Sequence, residues 1–114
     1  MYDELKRTIE QAWEDRSLLQ DDTTKAAIRE VVELIDKGKL RTAEPVDLER
    51  SLWQVNEWVK KAVILYFPIQ KMRTMHGGDL EWYDKMELKR DYDRLGVRVV
   101  PHAVARYGAY IAPG

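Results

Sequence analysis

Few side chains in this 114-residue chain have the type and spacing to do chemistry unaided. His76 and His102 are far apart, and neither has a second ligand-type residue at metal-binding spacing, so no metal site is expected. Ser17 and Ser51 lie in no nucleophile elbow, and neither histidine is set to activate them. The absence of cysteine removes disulfides, zinc–thiolate sites and a thiol nucleophile. The carboxylates of Asp21, Asp22, Asp47 and Glu49 read as helix caps and loop solvation, not as a paired acid and base. No catalytic residue is assigned on this basis. The four tryptophans, Trp13, Trp53, Trp58 and Trp82, lack the basic flanks of a base-stacking platform and read as core and hairpin packing. Lys60-Lys61 reads as the wet face of a helix in preference to a site for an anionic substrate, and Gly77-Gly78 is too short to cradle a phosphate. Alternation places Arg98 on the face opposite Val97 and Val99, where its guanidinium reads as a solvated side chain.

The elements that must position these residues follow from periodicity. Tyr2 to about Arg16 reads as a helix capped by Asp3, with Leu5, Ile9, Ala12, Trp13 and Arg16 along one face. A second helix starts among the possible caps Asp21 to Thr24 and buries Ala27, Ile28, Val31, Leu34 and Ile35. Gly38 stops it as a left-handed residue, with Lys37 and Lys39 at the dipole's negative end. The two one-sided helices are expected to pair antiparallel. Leu40 to Ala43 reads as extended, with a polar loop from Pro45 and a return strand over Leu52 to Val55. Asn56 is a candidate cap for a third helix, Glu57 to about Tyr66, which is apolar around most of its circumference and is expected at the centre. Pro68 ends it. Met72 to Met75 and Leu80 to Tyr83 flank His76-Gly77-Gly78-Asp79 as a hairpin. Asp91 to Leu95 makes a turn or two of helix stopped by Gly96, and Val97 to Val100 reads as a strand before Pro101. Helices and hairpins are segregated, so the class is α+β.

The tail has a different rhythm. Ala103 to Gly108 and Ala109 to Gly114 are successive hexads, each opening on Ala and closing on Gly, with Ala105 and Ile111 six apart. A period of six is the mark of a left-handed β-helix, in which three hexads make one triangular coil and coils must stack to bury their apolar faces. The expected organisation is an α+β domain over residues 1–102 and the start of an incomplete left-handed β-helix over 103–114. Hexads without neighbouring rungs are expected to be mobile unless tied down.

Lysine and arginine number 19 against 20 aspartates and glutamates, a net charge of -1. That balance argues against a nucleic-acid or membrane-surface binder. No basic leader precedes an apolar run, and the longest apolar stretch, Ala62 to Ile69, is too short to span a bilayer. A cytoplasmic protein is expected.

Several segments together resemble the bacterial tetrahydrodipicolinate N-succinyltransferases. They are Asp36-Lys37-Gly38-Lys39-Leu40-Arg41 with Ala43-Glu44, Trp53 through Val63, Tyr83-Asp84-Lys85, Gly96-Val97-Arg98-Val99-Val100-Pro101, and Gly108 through Gly114. The resemblance covers essentially the whole chain. Two places depart from it: Ser51-Leu52 stands where a glycine commonly precedes the first tryptophan, and Met86-Glu87-Leu88 replaces a Val/Ile-Pro-Leu, removing a stiffening proline.

The resemblance implies a trimeric enzyme with an N-terminal α+β domain, a left-handed β-helix and a short C-terminal extension. It implies succinyl transfer from succinyl-CoA, a co-substrate and not a resident cofactor, to the amino group of a tetrahydrodipicolinate-like dicarboxylate on the diaminopimelate route to lysine. The family's active site lies between neighbouring β-helices, with an acidic residue that this chain lacks. Arg98 matches the family's substrate-contacting arginine. Two functions are then expected as alternatives: the N-terminal domain of such an enzyme, silent and monomeric by itself, or a non-catalytic interaction module derived from that domain.

Overall fold

The computed structural model describes all residues, 1–114. Three helices make its core: α1 (Asp3–Glu14), α2 (Asp22–Asp36) and α3 (Glu57–Tyr66). Each packs on the other two, and Ile9, Ala12, Ile28, Val31, Val32, Val59, Ala62 and Leu65 are all but sealed from solvent between them. These are the stripes that the three- and four-residue spacing marks, and α3 is the central helix as expected. It nevertheless has a wet side, with Ile64 40% exposed.

The ends of the helices differ from expectation. α1 stops at Glu14, and Arg16–Gln20 winds as a 3₁₀ turn that seats Leu19 in the core. Asp15 is responsible. Its carboxylate accepts the backbone N–H of Ser17 at 3.1 Å and the Ser17 hydroxyl at 2.6 Å, a local bond that competes with helix continuation. Asp3 lies inside α1 and caps nothing; Tyr2 occupies the cap position. Asn56 does not cap α3 through its side chain either. That amide donates instead to the Arg41 carbonyl, 2.8 Å, and to Glu44, pinning the base of the first hairpin.

The hairpin has β1 over Ala43–Asp47 and β2 over Leu52–Val55, antiparallel, with an irregularity between Pro45 and Asp47. The extended segment therefore starts where Leu40 to Ala43 was expected to end, and Pro45 sits inside the strand. A proline is tolerated there because both strands are edges. Asp47 closes the tip, its carboxylate accepting the N–H groups of Glu49 and Arg50 at 3.1 and 3.3 Å. The second hairpin, β3 (Arg73–Gly77) and β4 (Leu80–Asp84), turns through Gly78 and Asp79, with Gly78 at φ +61°. Glycine at the first of two loop positions suits a type II′ hairpin. Neither hairpin's strands pack on the helices.

Tyr92–Leu95 is a single helical turn, α4, stopped by Gly96 at φ +71°; Val97 N–H reaches back to the Tyr92 carbonyl at 2.9 Å. Val97 to Val100 is not a strand of either hairpin, which corrects that expectation, although burial still alternates from Val97 to Val100. The mixture of helices and small antiparallel hairpins is α+β. No β-helix is present: residues 103–114 run as irregular chain, neither wound into a helix nor added to either hairpin. They are tied down, however, and the ties form the most polar part of the interior.

Candidate functional site

Arg98 lies directly after the left-handed turn at Gly96, between buried Val97 and half-buried Val99, with its own side chain exposed. The guanidinium makes no hydrogen bond or ion pair within the chain. Its backbone is fixed. The N–H donates to the Gly114 carbonyl at 2.8 Å, while the Gly114 N–H donates to the Gly96 carbonyl at 2.9 Å. A residue bonded to both neighbours of a second residue is the pattern of parallel strand pairing, here between Gly114 and Val97. The end of the chain thus returns alongside Arg98 after one circuit.

That circuit rests on a buried ion pair. Asp36 closes α2 and Lys89 lies on the connection after β4; their side chains are 2% and 1% exposed and meet at 2.8 Å. The same Asp36 oxygen accepts the Gly108 N–H at 2.8 Å, and its other oxygen takes the Lys37 ammonium at 2.7 Å. Lys89 also donates to the Asp36 main-chain carbonyl at 3.1 Å. Burial, the largest influence on Asp36, disfavours its charge. The hydrogen bonds from Lys37, Lys89 and Gly108 together outweigh it and hold the carboxyl below the ordinary carboxylate pKa. The Asp36 hydrogen bond in turn raises the pKa of Lys37.

Beside this pair, the Tyr66 hydroxyl donates to the Glu87 carboxylate, 2.7 Å from both oxygens, and Gln70 donates to it at 2.9 Å. Tyr107 donates to Glu33. Burial first, and then the adjacent carboxylate, raise the pKa of each tyrosine well above its ordinary value, so both remain hydroxyl donors. No buried side-chain polar atom lacks a partner. A cleft of about 360 Å³ opens next to the cluster, lined by Lys37, Arg73, Glu87, Arg90, Asp91 and Tyr107 among others. Every acid inside the network is occupied by a donor, an arrangement that fixes geometry and does not move protons.

The cluster was not legible as a site, although one signal pointed to it. Asp36 continues the four-residue series Ile28, Val32, Asp36 on the buried stripe of α2, and a carboxylate in that register requires a buried partner. Lys89 carries no such mark. Glu87, which takes the place of a proline in the resemblance, uses its side chain to hold Tyr66 and Gln70 and its carbonyl to accept Tyr107 N–H at 2.8 Å. The remaining residues considered for chemistry are scattered. His76 faces Glu81 on an exposed hairpin, His102 is exposed in the tail, and no three His, Asp or Glu side chains converge on a metal position. Lys61 pairs with Glu10 at 2.9 Å and lies over Trp13, while Lys60 is exposed.

Residues 4–69 match the sequence profile described as Tetrahydrodipicolinate N-succinyltransferase N-terminal. The chain belongs to the tetrahydrodipicolinate N-succinyltransferase family. It is 43% identical to the 2,3,4,5-tetrahydropyridine-2,6-dicarboxylate N-succinyltransferase of Aeromonas hydrophila over 120 aligned residues, covering 96% of this chain and 42% of that protein. The enzyme of the same name from Alkalilimnicola ehrlichii is 44% identical, covering 97% and 43% respectively. That from Methylococcus capsulatus is 42% identical, covering 96% and 43%. The chain therefore spans about two-fifths of the length of these relatives and corresponds to the succinyltransferase N-terminal domain. Val97 to Gly114 lie beyond the matched profile, and the relatives' 96% coverage of the chain reaches most of them.

Proposed function

We propose that this domain serves a succinyl transfer from succinyl-CoA to the amino group of a tetrahydrodipicolinate-like dicarboxylate, and that its chemical contribution is Arg98. The observation that carries the reading is a guanidinium left free on a residue whose backbone N–H is held by the Gly114 carbonyl. A dicarboxylate must be held with its amine aimed at the thioester, and a guanidinium donates two parallel hydrogen bonds to a carboxylate while the fixed backbone limits its reach. Residues 103–114 are read as the lead-in to a left-handed β-helix, a reading supported by the parallel pairing of Gly114 with Val97 one circuit earlier. The following turns of such a solenoid would carry the acidic residue and the coenzyme A contacts, and neighbouring copies in a homotrimer would complete the site.

Alone, the chain is expected to be monomeric and catalytically silent. Within the network, Glu33, Asp36 and Glu87 are each occupied by a donor and none is free to receive a proton from an attacking amine. The purified chain incubated with succinyl-CoA and 2-aminopimelate should release thiol at the uncatalysed rate; release well above it would overturn this. In a protein that continues beyond Gly114 into further hexads, Arg98→Ala should lower use of the dicarboxylate about 10- to 100-fold, the worth of a charged hydrogen bond of roughly 1.5–3 kcal/mol. An unchanged rate would remove Arg98 from the site.

A second reading, a non-catalytic interaction module, draws on the first hairpin. One face of it carries Ala43, Pro45, Trp53 and Val55, with Trp53 53% and Val55 65% exposed. Tight self-association of the isolated chain on size exclusion would favour this reading over the silent monomer.

A further inference from the structure

We propose that the buried Asp36–Lys89 pair is a positioning device for Arg98, transmitted through the tail; its functional meaning rests on reading Arg98 as the dicarboxylate-contacting residue. The route is continuous. Asp36 holds the Gly108 N–H at 2.8 Å, and the Lys89 backbone N–H donates to the Ala105 carbonyl at 3.0 Å. Tyr107 N–H donates to the Glu87 carbonyl from the same connection, so residues 105–108 are gripped from α2 on one side and from 87–89 on the other. Beyond Gly108 the chain passes Tyr110, whose ring lies on Gly38 so closely that a Cβ there would stand 2.5 Å from it. It ends at Gly114, whose carbonyl takes the Arg98 N–H. The Arg98 guanidinium makes no hydrogen bond or ion pair within the chain, so its position is governed by its backbone. Slack admitted at Gly108 is therefore passed to Arg98.

The choice of an ion pair fits this task better than it fits stability. Burying two charges costs about what their attraction returns, and apolar replacements of similar volume are often as stable. What a buried pair supplies is direction: three segments can satisfy Asp36 and Lys89 together in only one mutual register. An apolar plug would tolerate sliding. Lys37, Glu33 and Tyr107 stand around Asp36, Glu87 with Tyr66 lies on the adjoining side, and Arg73, Arg90 and Asp91 line the cleft that opens beside it.

The test is amide hydrogen exchange on the 114-residue chain, followed by NMR, with Asp36→Asn, Lys89→Met and the double variant. Each single variant should speed exchange at Gly108, Gly114 and Arg98 at least about tenfold relative to Val59 and Leu65 in the helical core. The double variant, which buries no lone charge, should recover melting temperature without recovering protection at Arg98 and Gly114. Recovery of both would show the pair to be merely structural. Loss confined to Gly108, with Arg98 and Gly114 unmoved, would break the proposed route. Should the single variants fail to fold, Tyr107→Phe removes only the hydroxyl bond to Glu33 and should produce a smaller loss at the same three amides; no change there would equally overturn the proposal. No substrate enters this experiment, so its failure leaves the succinyl-transfer reading standing, and failure of the thiol-release prediction leaves the positioning device standing.

Discussion

Ser51 sits at φ +56°, in the left-handed region that costs a side chain about 1–2 kcal/mol. It falls beside the place where the resemblance expects glycine, and the backbone supplies the reason: the turn out of β1 needs a residue without a Cβ. Ser51→Gly should therefore stabilise the hairpin by about 1 kcal/mol, roughly a fivefold slowing of exchange at the β1–β2 amides. Because the strands do not pack on the helices, the melting temperature of the core should hardly move. Asp36 makes the second prediction at this scale. Its folded pKa lies below the unfolded value, so its contribution is complete above about pH 4–5 and is lost as pH falls through the folded value. Urea midpoints measured against pH should fall on acidification, and the fall should be shallower in Asp36→Asn.

The elements divide into a sealed core and satellites. Leu65 is fully buried on α3 while Trp53 is half exposed on β2. Leu65→Ala should cost about 2–5 kcal/mol through lost burial and an unfilled cavity, whereas Trp53→Ser should cost well under half of that. Denaturant unfolding of the two variants checks the order, and a larger loss at Trp53 would mean that the hairpin is integral to the core. Two-stranded hairpins are marginal by themselves. What anchors this one is its base, where Asn56 N–H donates to the Thr42 carbonyl at 2.8 Å and the Asn56 amide to Arg41. The periodicity of α1, α2 and α3 was readable because each buries one stripe against the other two. The 3₁₀ turn after Glu14 was hidden because a single Asp15–Ser17 contact, not a pattern, decides it. Strand β1 was misplaced for a similar reason: Pro45 reads as loop in isolation, and only the free edge on which it lies permits a strand.

The molecule is flat, 43 × 42 × 20 Å, with a radius of gyration of 15.9 Å where a compact domain of this length would have about 13 Å. Only 16 of 114 residues are buried, so the core is small for the length and the faces are wide. Such a shape suits a domain that lies against further structure. Small-angle scattering of the isolated chain should give a radius near the larger figure, and hydrogen exchange should find the strongest protection in α1, α2 and α3. A radius near the compact value would mean that the hairpins fold back onto the helices. No helix is long and apolar enough to cross a membrane.

Periodicity, turn residues and long matching segments determined by themselves the three helices, the two hairpins, the α+β class and the succinyltransferase family. Those features depend on neighbours along the chain, which a linear pattern records. Only the tertiary structure decided that Asp36 meets Lys89 across fifty-three positions and that Gly108 completes the pair. It alone also brought Gly114 back beside Arg98. These contacts join segments remote in the chain, and a buried charge chooses its partner by three-dimensional proximity, which residue spacing does not encode.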